Sequence, residues 1–260
     1  AYLARVFGRP ASAWQVMRQM HCFAATILDR VFLLSDRFRQ FDVRVHGLDA
    51  LTARMRPDRG VLLFGAHIGS FEVLRVLAAD APDVRVCPML DPHQTPALTD
   101  LLHALDPDLA RDVIDASRPG SEIVLALREA IDAGALAALL ADRARPREAT
   151  IAVDFLDAPA HFPVAPFQIA SALKAPVVLC FGLYLGGNRY DLYFEAFADE
   201  LTLPRRAGQD ELRAAVQRYA ERLEHHVRAA PYNWFNFYDF WNLHAPATGG
   251  VVAVPARGGG

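Results

Sequence analysis

The stretch VLLFGAHIGSFEVLR, residues 61–75, decides the fold of this chain. Its apolar run ends at Gly65, a small-residue turn follows, and Ser70 precedes a helical pattern whose first turn carries Glu72. A short apolar run of this kind is typical of a buried strand, and a serine before an apolar periodic stretch is typical of a helix N-cap. The stretch therefore predicts a strand, a turn and a helix, with His67 at the carboxyl edge of the strand, where open α/β sheets bind ligands.

The same alternation of short apolar runs and helical stretches continues from Phe41 onward. It predicts a single-domain α/β sandwich with a mixed, largely parallel central sheet flanked by helices, whose last two strands are joined by a hairpin turn at Gly186-Gly187-Asn188. The predicted strands are 41–45, 61–65, 84–90, 135–140, 151–156, 177–184 and 190–195. The predicted helices are 71–79, 95–105, 122–133, 167–173 and 211–229.

Two segments flank this predicted α/β domain, which covers residues 41–244. Residues 1–40 are expected to be helical, because Ser12 is a plausible N-cap for a broad apolar stripe at helical spacing. Residues 245–260, rich in Pro, Gly and Ala, are predicted to be a disordered tail.

Composition excludes several functional classes. The 260 residues carry a net charge of −3, which argues against a nucleic-acid partner because phosphate binding usually requires a strongly basic domain. No apolar run is long enough to span a bilayer. The three cysteines are far apart and odd in number, which favours reduced thiols in a cytosolic protein over a disulfide framework. No H-E-x-x-H motif and no paired C-x-x-C is present, so no metal site is expected.

His67 and Glu72 are the first candidates for chemistry. They are not aligned on a regular helix, but the turn between them lets the carboxylate fold back toward the imidazole and fix its tautomer. A structural interpretation stays open, since a glutamate in a first helical turn is favoured by the helix dipole and a histidine at a strand end often bonds only backbone. No G-x-S-x-G is present, so an α/β-hydrolase nucleophile is not predicted.

His67, four residues and then Glu72 resemble the H-x-x-x-x-D/E box of the lysophospholipid acyltransferase superfamily. The variant Gly-Ala-His-Ile-Gly-Ser-Phe-Glu is similar to the late (lauroyl/myristoyl) acyltransferases of lipid A biosynthesis and to related predicted acyltransferases of bacterial glycolipid and aryl-polyene clusters. Further blocks follow in the expected order: Asp142-Arg143 after an apolar run, Phe155 to Pro166, Ala175 to Val178, and the aromatic close from Pro231 to Trp241. The resemblance covers roughly residues 12–242.

The resemblance implies an acyl transfer without a covalent acyl-enzyme. His67 is expected to take a proton from the acceptor while Glu72 holds its ring, and Arg143 is expected to contact the oxyanion or a phosphate group. Backbone N–H groups near Gly69 and Ser70 are alternative oxyanion donors. Further expected substrate-binding residues are Asp142, Phe162 and Glu195. For Glu195 the alternative is a solvent-exposed carboxylate in a hairpin without a role in binding.

The expected donor is an acyl carrier protein or coenzyme A thioester, with no further cofactor, and the expected acceptor is a hydroxyl or amine of a lipid-like molecule. The branch also implies the cytoplasmic face of the bacterial inner membrane, reached peripherally or through a segment before Ala1. Two alternatives remain: an acyl thioester hydrolase and an inert lipid-binding scaffold. The aromatic close and the stripe of residues 12–40 are expected first in the core. A lipid interface is the alternative for both, and a lining for the acyl chain is a second alternative for the aromatic close.

Overall fold

The structure is a computed structural model that describes residues 1–35, 37–74, 76, 84–145, 148–203 and 209–241. A seven-stranded sheet lies at its centre, with a separate antiparallel pair beside it. The strands are β1 (Asp42–His46), β2 (Val61–Gly65), β3 (Val86–Leu90), β4 (Ile114–Asp115), β5 (Leu136–Leu140), β6 (Thr150–Asp154), β7 (Pro159–Pro163), β8 (Val177–Gly186) and β9 (Arg189–Ala198). The predicted tail, residues 245–260, lies outside the described residues.

The described α-helices connect these strands or precede them. They are α1 (Tyr2–Phe7), α2 (Ala13–Leu33), α3 (Leu48–Thr52), α4 (Pro96–Leu105), α5 (Pro107–Asp112), α6 (Gly120–Asp132), α7 (Ala165–Leu173) and α8 (Gln209–Ala229). Short 3₁₀ turns cover Phe38–Gln40 and Phe71–Leu74. In the described part of the chain, no helix combines the length and the apolar character needed to cross a membrane.

The central sheet has the order β1-β9-β8-β2-β5-β3-β4. Only β8 and β9 pair antiparallel within it, through the hairpin at Gly186 to Asn188, and the other neighbours are parallel. The predicted α/β fold with a largely parallel central sheet is therefore confirmed. Strand β2 lies inside the sheet between β8 and β5, and this position places the chain after Gly65 at the carboxyl edge.

Apolar residues on both faces of β2 form the core. Leu62 and Phe64 pack toward α6, α7 and α8, while Val61 and Leu63 pack toward α2 and α3. All five residues of β2 are buried, as expected for a central strand of a sheet covered on both sides. The Tyr219 hydroxyl of α8 donates to the Gly65 carbonyl oxygen at 2.7 Å, which fixes the end of β2 beside the turn that carries His67.

Several predicted elements differ in extent. The expected helix 71–79 begins as a 3₁₀ turn, Phe71–Leu74, and most of its second half lies outside the described residues. The strand predicted for 151–156 ends at Asp154, because Leu156 and Asp157 take positive φ angles of 52° and 60° in the turn to β7. Residues 1–40, expected to be helical with Ser12 as an N-cap, contain α1 and α2; Gly8 ends α1 in the left-handed conformation and Ser12 caps α2.

Candidate active site

His67 lies two residues after the end of β2, and its partner is Asp142, two residues after the end of the neighbouring strand β5. Gly65 and Leu140 are paired in the parallel register of these strands, so the residues two positions after them, His67 and Asp142, meet at the same sheet edge. The Asp142 carboxylate accepts from the His67 ring, with Oδ1 at 2.8 Å from Nδ1, and from the His67 backbone N–H at 3.1 Å. The indole N–H of Trp234 donates to Oδ2 at 3.0 Å. Asp142 thereby fixes both the ring and the backbone of His67.

Asp142 has no solvent exposure, and its surroundings keep it ionised. Burial raises the pKa of its carboxyl, but the charges of His67 and Arg143 and the hydrogen bonds from His67 and Trp234 lower that pKa to about 2. An ionised carboxylate only accepts hydrogen bonds, so Nδ1 of His67 must carry its proton. When the ring is neutral, Nε2 therefore carries the lone pair that a general base requires.

Glu72 does not hold the His67 ring, contrary to the expectation from the sequence. Its Oε1 forms an ion pair with Arg30 Nε of α2 at 2.7 Å, and its Oε2 accepts from the Ser70 hydroxyl at 2.8 Å. The short 3₁₀ turn keeps the carboxylate on the side of α2, while Asp142 occupies Nδ1. The carboxylate that orients the His67 ring is therefore that of Asp142, and not that of Glu72 as the sequence predicted.

The backbone N–H groups of Gly69 and Ser70 are also used differently from the expectation. Gly69 N–H donates to the Asn233 carbonyl and Ser70 N–H to the Gly182 carbonyl, both at 2.9 Å. These hydrogen bonds attach the turn to β8 and to the aromatic close, residues 231–241. Neither N–H group is therefore available to an oxyanion.

Arg143 was also expected to contact the oxyanion, and it lines the same cleft as His67. One terminal nitrogen donates to the Phe235 carbonyl, and the guanidinium carbon lies 5.4 Å from the centre of the Tyr238 ring. Its buried Nε has no hydrogen-bond partner among the described residues. The side chain is thus held at the sheet edge while part of its hydrogen-bonding capacity is unused.

A cleft of about 680 Å³ opens beside His67, between α2, the 3₁₀ turn, β3, β5, α4 and α5. Its charged groups are concentrated near His67 and around Arg85 and Asp112, and most of the wall between is apolar. The apolar lining includes Phe23, Ile27, Leu34, Phe71, Leu74, Val86, Pro88, Met89, Leu98, Leu102, Leu109 and Leu140. A volume and lining of this kind fit a small molecule with a long apolar part.

Comparison with known families agrees with this geometry. The sequence model of the family described as bacterial lipid A biosynthesis acyltransferase matches residues 2–242. The chain belongs to this family. The resemblance seen in the sequence motifs is thereby confirmed. No curated protein is significantly similar to the chain.

Two residues expected to bind substrate do not line the cleft beside His67. Phe162 of β7 is fully buried and packs edge-on against Phe155 and Tyr219, so it is a core residue. Glu195 lies within β9 and accepts from Arg222 at 2.6 and 2.8 Å and from His226 at 2.8 Å. Burial raises the pKa of its carboxyl, but these two partners lower that pKa to about 2, so Glu195 tethers β9 to α8.

Three structural roles around His67 were not predicted from the sequence. Asp142 was expected to contact substrate, whereas it holds the ring; Trp234 was read only as part of an aromatic wall; and Arg30 was not singled out. A signal for Asp142 existed, because the ends of neighbouring parallel strands share one sheet edge. The described residues contain no group of three or more His, Cys, Asp or Glu side chains arranged to hold a metal ion.

Proposed function

We propose that the protein transfers an acyl group from an acyl carrier protein or coenzyme A thioester to a hydroxyl or amine of a lipid-like acceptor. The observation that carries this proposal is the His67–Asp142 pair at the wall of a largely apolar cleft. Membership in the lipid A acyltransferase family supports the reaction class. A thioester supplies an already activated acyl group, so the proposed reaction requires no further cofactor.

His67 acts as the general base in the proposed reaction. Its Nδ1 proton is held by Asp142, and its side chain is about one-third exposed toward the cleft. Nε2 takes the proton of the acceptor hydroxyl as the acceptor oxygen forms a bond to the thioester carbonyl carbon. The positive charge that develops on the ring is stabilised by the buried, ionised Asp142.

Arg143 stabilises the tetrahedral intermediate. As the new C–O bond forms, the carbonyl π electrons move to the oxygen, and a guanidinium donor beside the cleft offsets that negative charge. When the carbonyl re-forms, the C–S bond breaks and the leaving thiolate takes the proton from His67 Nε2. The products are an acylated acceptor and a free thiol, and no acyl-enzyme intermediate is formed.

The apolar wall of the cleft holds the acyl chain of the donor. Aliphatic and aromatic side chains from α2, α4, α5 and β3 line it, and each methylene that they bury contributes about 0.8 kcal/mol to binding. A lipid-like acceptor has to reach the same cleft, which supports a peripheral position at the cytoplasmic face of a bacterial inner membrane.

Thiol release from a long-chain acyl thioester tests the reaction. We expect wild-type turnover to increase with a lipid acceptor extract and His67→Ala to lower it at least about a hundredfold. His103→Ala is the matched control, because His103 is exposed on α4 and does not line the cleft. Equal rates for wild type and His67→Ala would overturn the mechanism, and release that is independent of the acceptor would identify a thioester hydrolase instead.

A further inference from the structure

Helix α2 buries polar side chains on the face that packs against the protein. Along its buried side lie Gln15, Gln19 and Thr26, which are only 6, 6 and 2% exposed. Their positions recur at helical spacing, so they share one face. A helix on the surface of a protein in water usually buries its apolar face and exposes its polar one, whereas α2 buries these polar side chains together with Leu33 and exposes apolar ones.

Specific polar contacts hold this inward face. The Gln19 side-chain amide donates to the Trp234 carbonyl at 2.8 Å, and the Tyr190 hydroxyl donates to Asp29 at 2.6 Å. Arg30 forms the ion pair with Glu72 beside the cleft. Hydrogen bonds and an ion pair therefore attach α2 together with buried apolar side chains such as Leu33, and the apolar side chains on the opposite face are left for another surface.

Most of the outward face of α2 is an apolar seam, with His21 also exposed on that side. Met17, Met20, Leu28 and Val31 are spaced so that they lie on one side of the helix, and they are 70, 49, 61 and 39% exposed. Trp14, 62% exposed, extends the seam at its amino end. A contiguous exposed apolar surface of this kind marks a site of contact with a lipid or a protein.

We propose that this outward seam, Trp14 with Met17, Met20, Leu28 and Val31, docks α2 on the surface of an anionic lipid bilayer. Residues 1–40 contain six arginines and two aspartates, although the whole chain has a net charge of −3. The positive charge is thus concentrated around α2. Attraction to anionic headgroups adds to the burial of apolar side chains when a helix lies in the interface.

Exposed arginines mark both ends of the seam. Arg9 and Arg18 lie at its amino end, and Arg37 and Arg39 follow its carboxyl end. The guanidinium of Arg18 lies 5.3 Å from the Trp14 ring centre, and that of Arg37 lies 5.9 Å from the Phe32 ring centre. Long cationic side chains that stack on aromatic rings are typical of the headgroup region of a bilayer, and the apolar seam would then contact the acyl chains.

The seam is continuous with the mouth of the cleft, which distinguishes a lipid surface from an unrelated protein partner. Ile27 is 39% exposed beside the seam and also lines the cleft. Phe23, the next cleft residue along α2, packs against Phe237, which is half exposed. This step rests on the proposed function: a lipid-like acceptor would pass from the bilayer to His67 without crossing water.

Vesicle flotation tests the docking surface without measuring activity. We expect wild type to float with vesicles containing anionic phosphatidylglycerol, more weakly with neutral phosphatidylcholine vesicles and more weakly at high salt. The double variant Met17→Asp, Leu28→Asp should bind the anionic vesicles at least about tenfold more weakly, because charge replaces apolar side chains in the seam. Leu125→Asp is the matched control: Leu125 is 58% exposed on α6, away from α2.

Absence of wild-type flotation, or equal flotation of the double variant with an unchanged circular dichroism spectrum, would overturn the proposal. A concentration-dependent dimer of the wild type that the double variant abolishes, without flotation of either, would instead assign the seam to a second copy of the chain. Thiol release is measured on the same wild-type sample. Flotation without thiol release would support the docking surface and count against the proposed reaction. Thiol release without flotation would support the proposed reaction and overturn the docking surface.

Discussion

Two carboxylates lie close to the backbone segment that carries His67, and at the scale of single residues they have different partners. Asp142 accepts from the ring and Glu72 accepts from Ser70 and pairs with Arg30. The substitution Asp142→Asn should lower kcat at least about a hundredfold, since an amide that donates to Nδ1 would hold the wrong tautomer. Glu72→Gln should lower kcat less, because the ring keeps its partner. Single-turnover thiol release compares the two, and an equal or larger loss for Glu72→Gln would contradict the assignment.

Asp142 also predicts how stability depends on pH. Its folded pKa of about 2 lies below the ordinary aspartate value of 3.8, so its contribution is present above about pH 4 and is lost as the pH falls toward 2. The linked free energy is about 2 kcal/mol. Urea unfolding between pH 6 and pH 2.5 should show this loss in the wild type, and Asp142→Asn should flatten that part of the curve. An unchanged slope in the variant would show that other groups cause the acid sensitivity.

Individual residues of the site were predictable from the sequence to different degrees. His67 and Arg143 were found because each directly follows an apolar strand, and both line the cleft. The partner of His67 was assigned wrongly, since spacing along the chain favoured Glu72 while strand pairing brings Asp142 to the ring. Phe162 and Glu195 were misplaced for a related reason: the face on which a strand residue lies depends on tertiary packing.

At the scale of elements, the turn from β2 depends on glycine at position 69. Gly69 has a φ of 57°, and a Cβ there would lie 1.8 Å from the Gly182 carbonyl oxygen of β8. Gly69→Ala should therefore lower the free energy of unfolding by more than the cost of the positive φ alone, which is about 1–2 kcal/mol. Gly187→Ala is the control, because it has a φ of 65° and no atom within 4 Å of the added Cβ.

Urea denaturation of the two glycine variants distinguishes backbone strain at a positive φ from a steric clash of the added Cβ with β8. Gly187→Ala should lose about 1 kcal/mol, and Gly69→Ala should lose several, or fail to fold. Equal losses would mean that β8 can move away from the turn at little cost, and the tight approach of the two backbones would then not be required for the site.

The strong elements of the fold were predictable because their local patterns are unambiguous. Strand β2 matches its predicted bounds, and β8 and β9 extend the predicted hairpin. The short strand β4 and the strand β7 were missed, since two residues, or a run bounded by prolines, give little periodic signal. The stripe on α2 was detected, but its orientation was not, because periodicity shows that a helix has two faces without showing which one the protein buries.

At the scale of the whole molecule, the cleft extends across the sheet from one edge toward the other. His67 follows the carboxyl end of β2, whereas Arg85 precedes β3 at its amino end. Five strand residues separate these edges, a span of about 17 Å. An acyl chain whose thioester lies at His67 would point toward Arg85, where the ion pair with Asp112 of α5 lines the cleft at 2.6 Å.

This arrangement predicts that the Arg85–Asp112 pair limits the length of the acyl chain. Asp112→Ala removes the ion pair and opens space at that end, at little cost in stability because Arg85 is more than half exposed. Each additional methylene that becomes buried should improve kcat/KM for the longer thioester by about fourfold, from about 0.8 kcal/mol per methylene. The profile is measured with saturated acyl thioesters of increasing length, with Asp115→Ala as the control because Asp115 pairs with Arg118 outside the cleft. The same length preference in wild type and Asp112→Ala would place the end of the acyl chain elsewhere in the cleft.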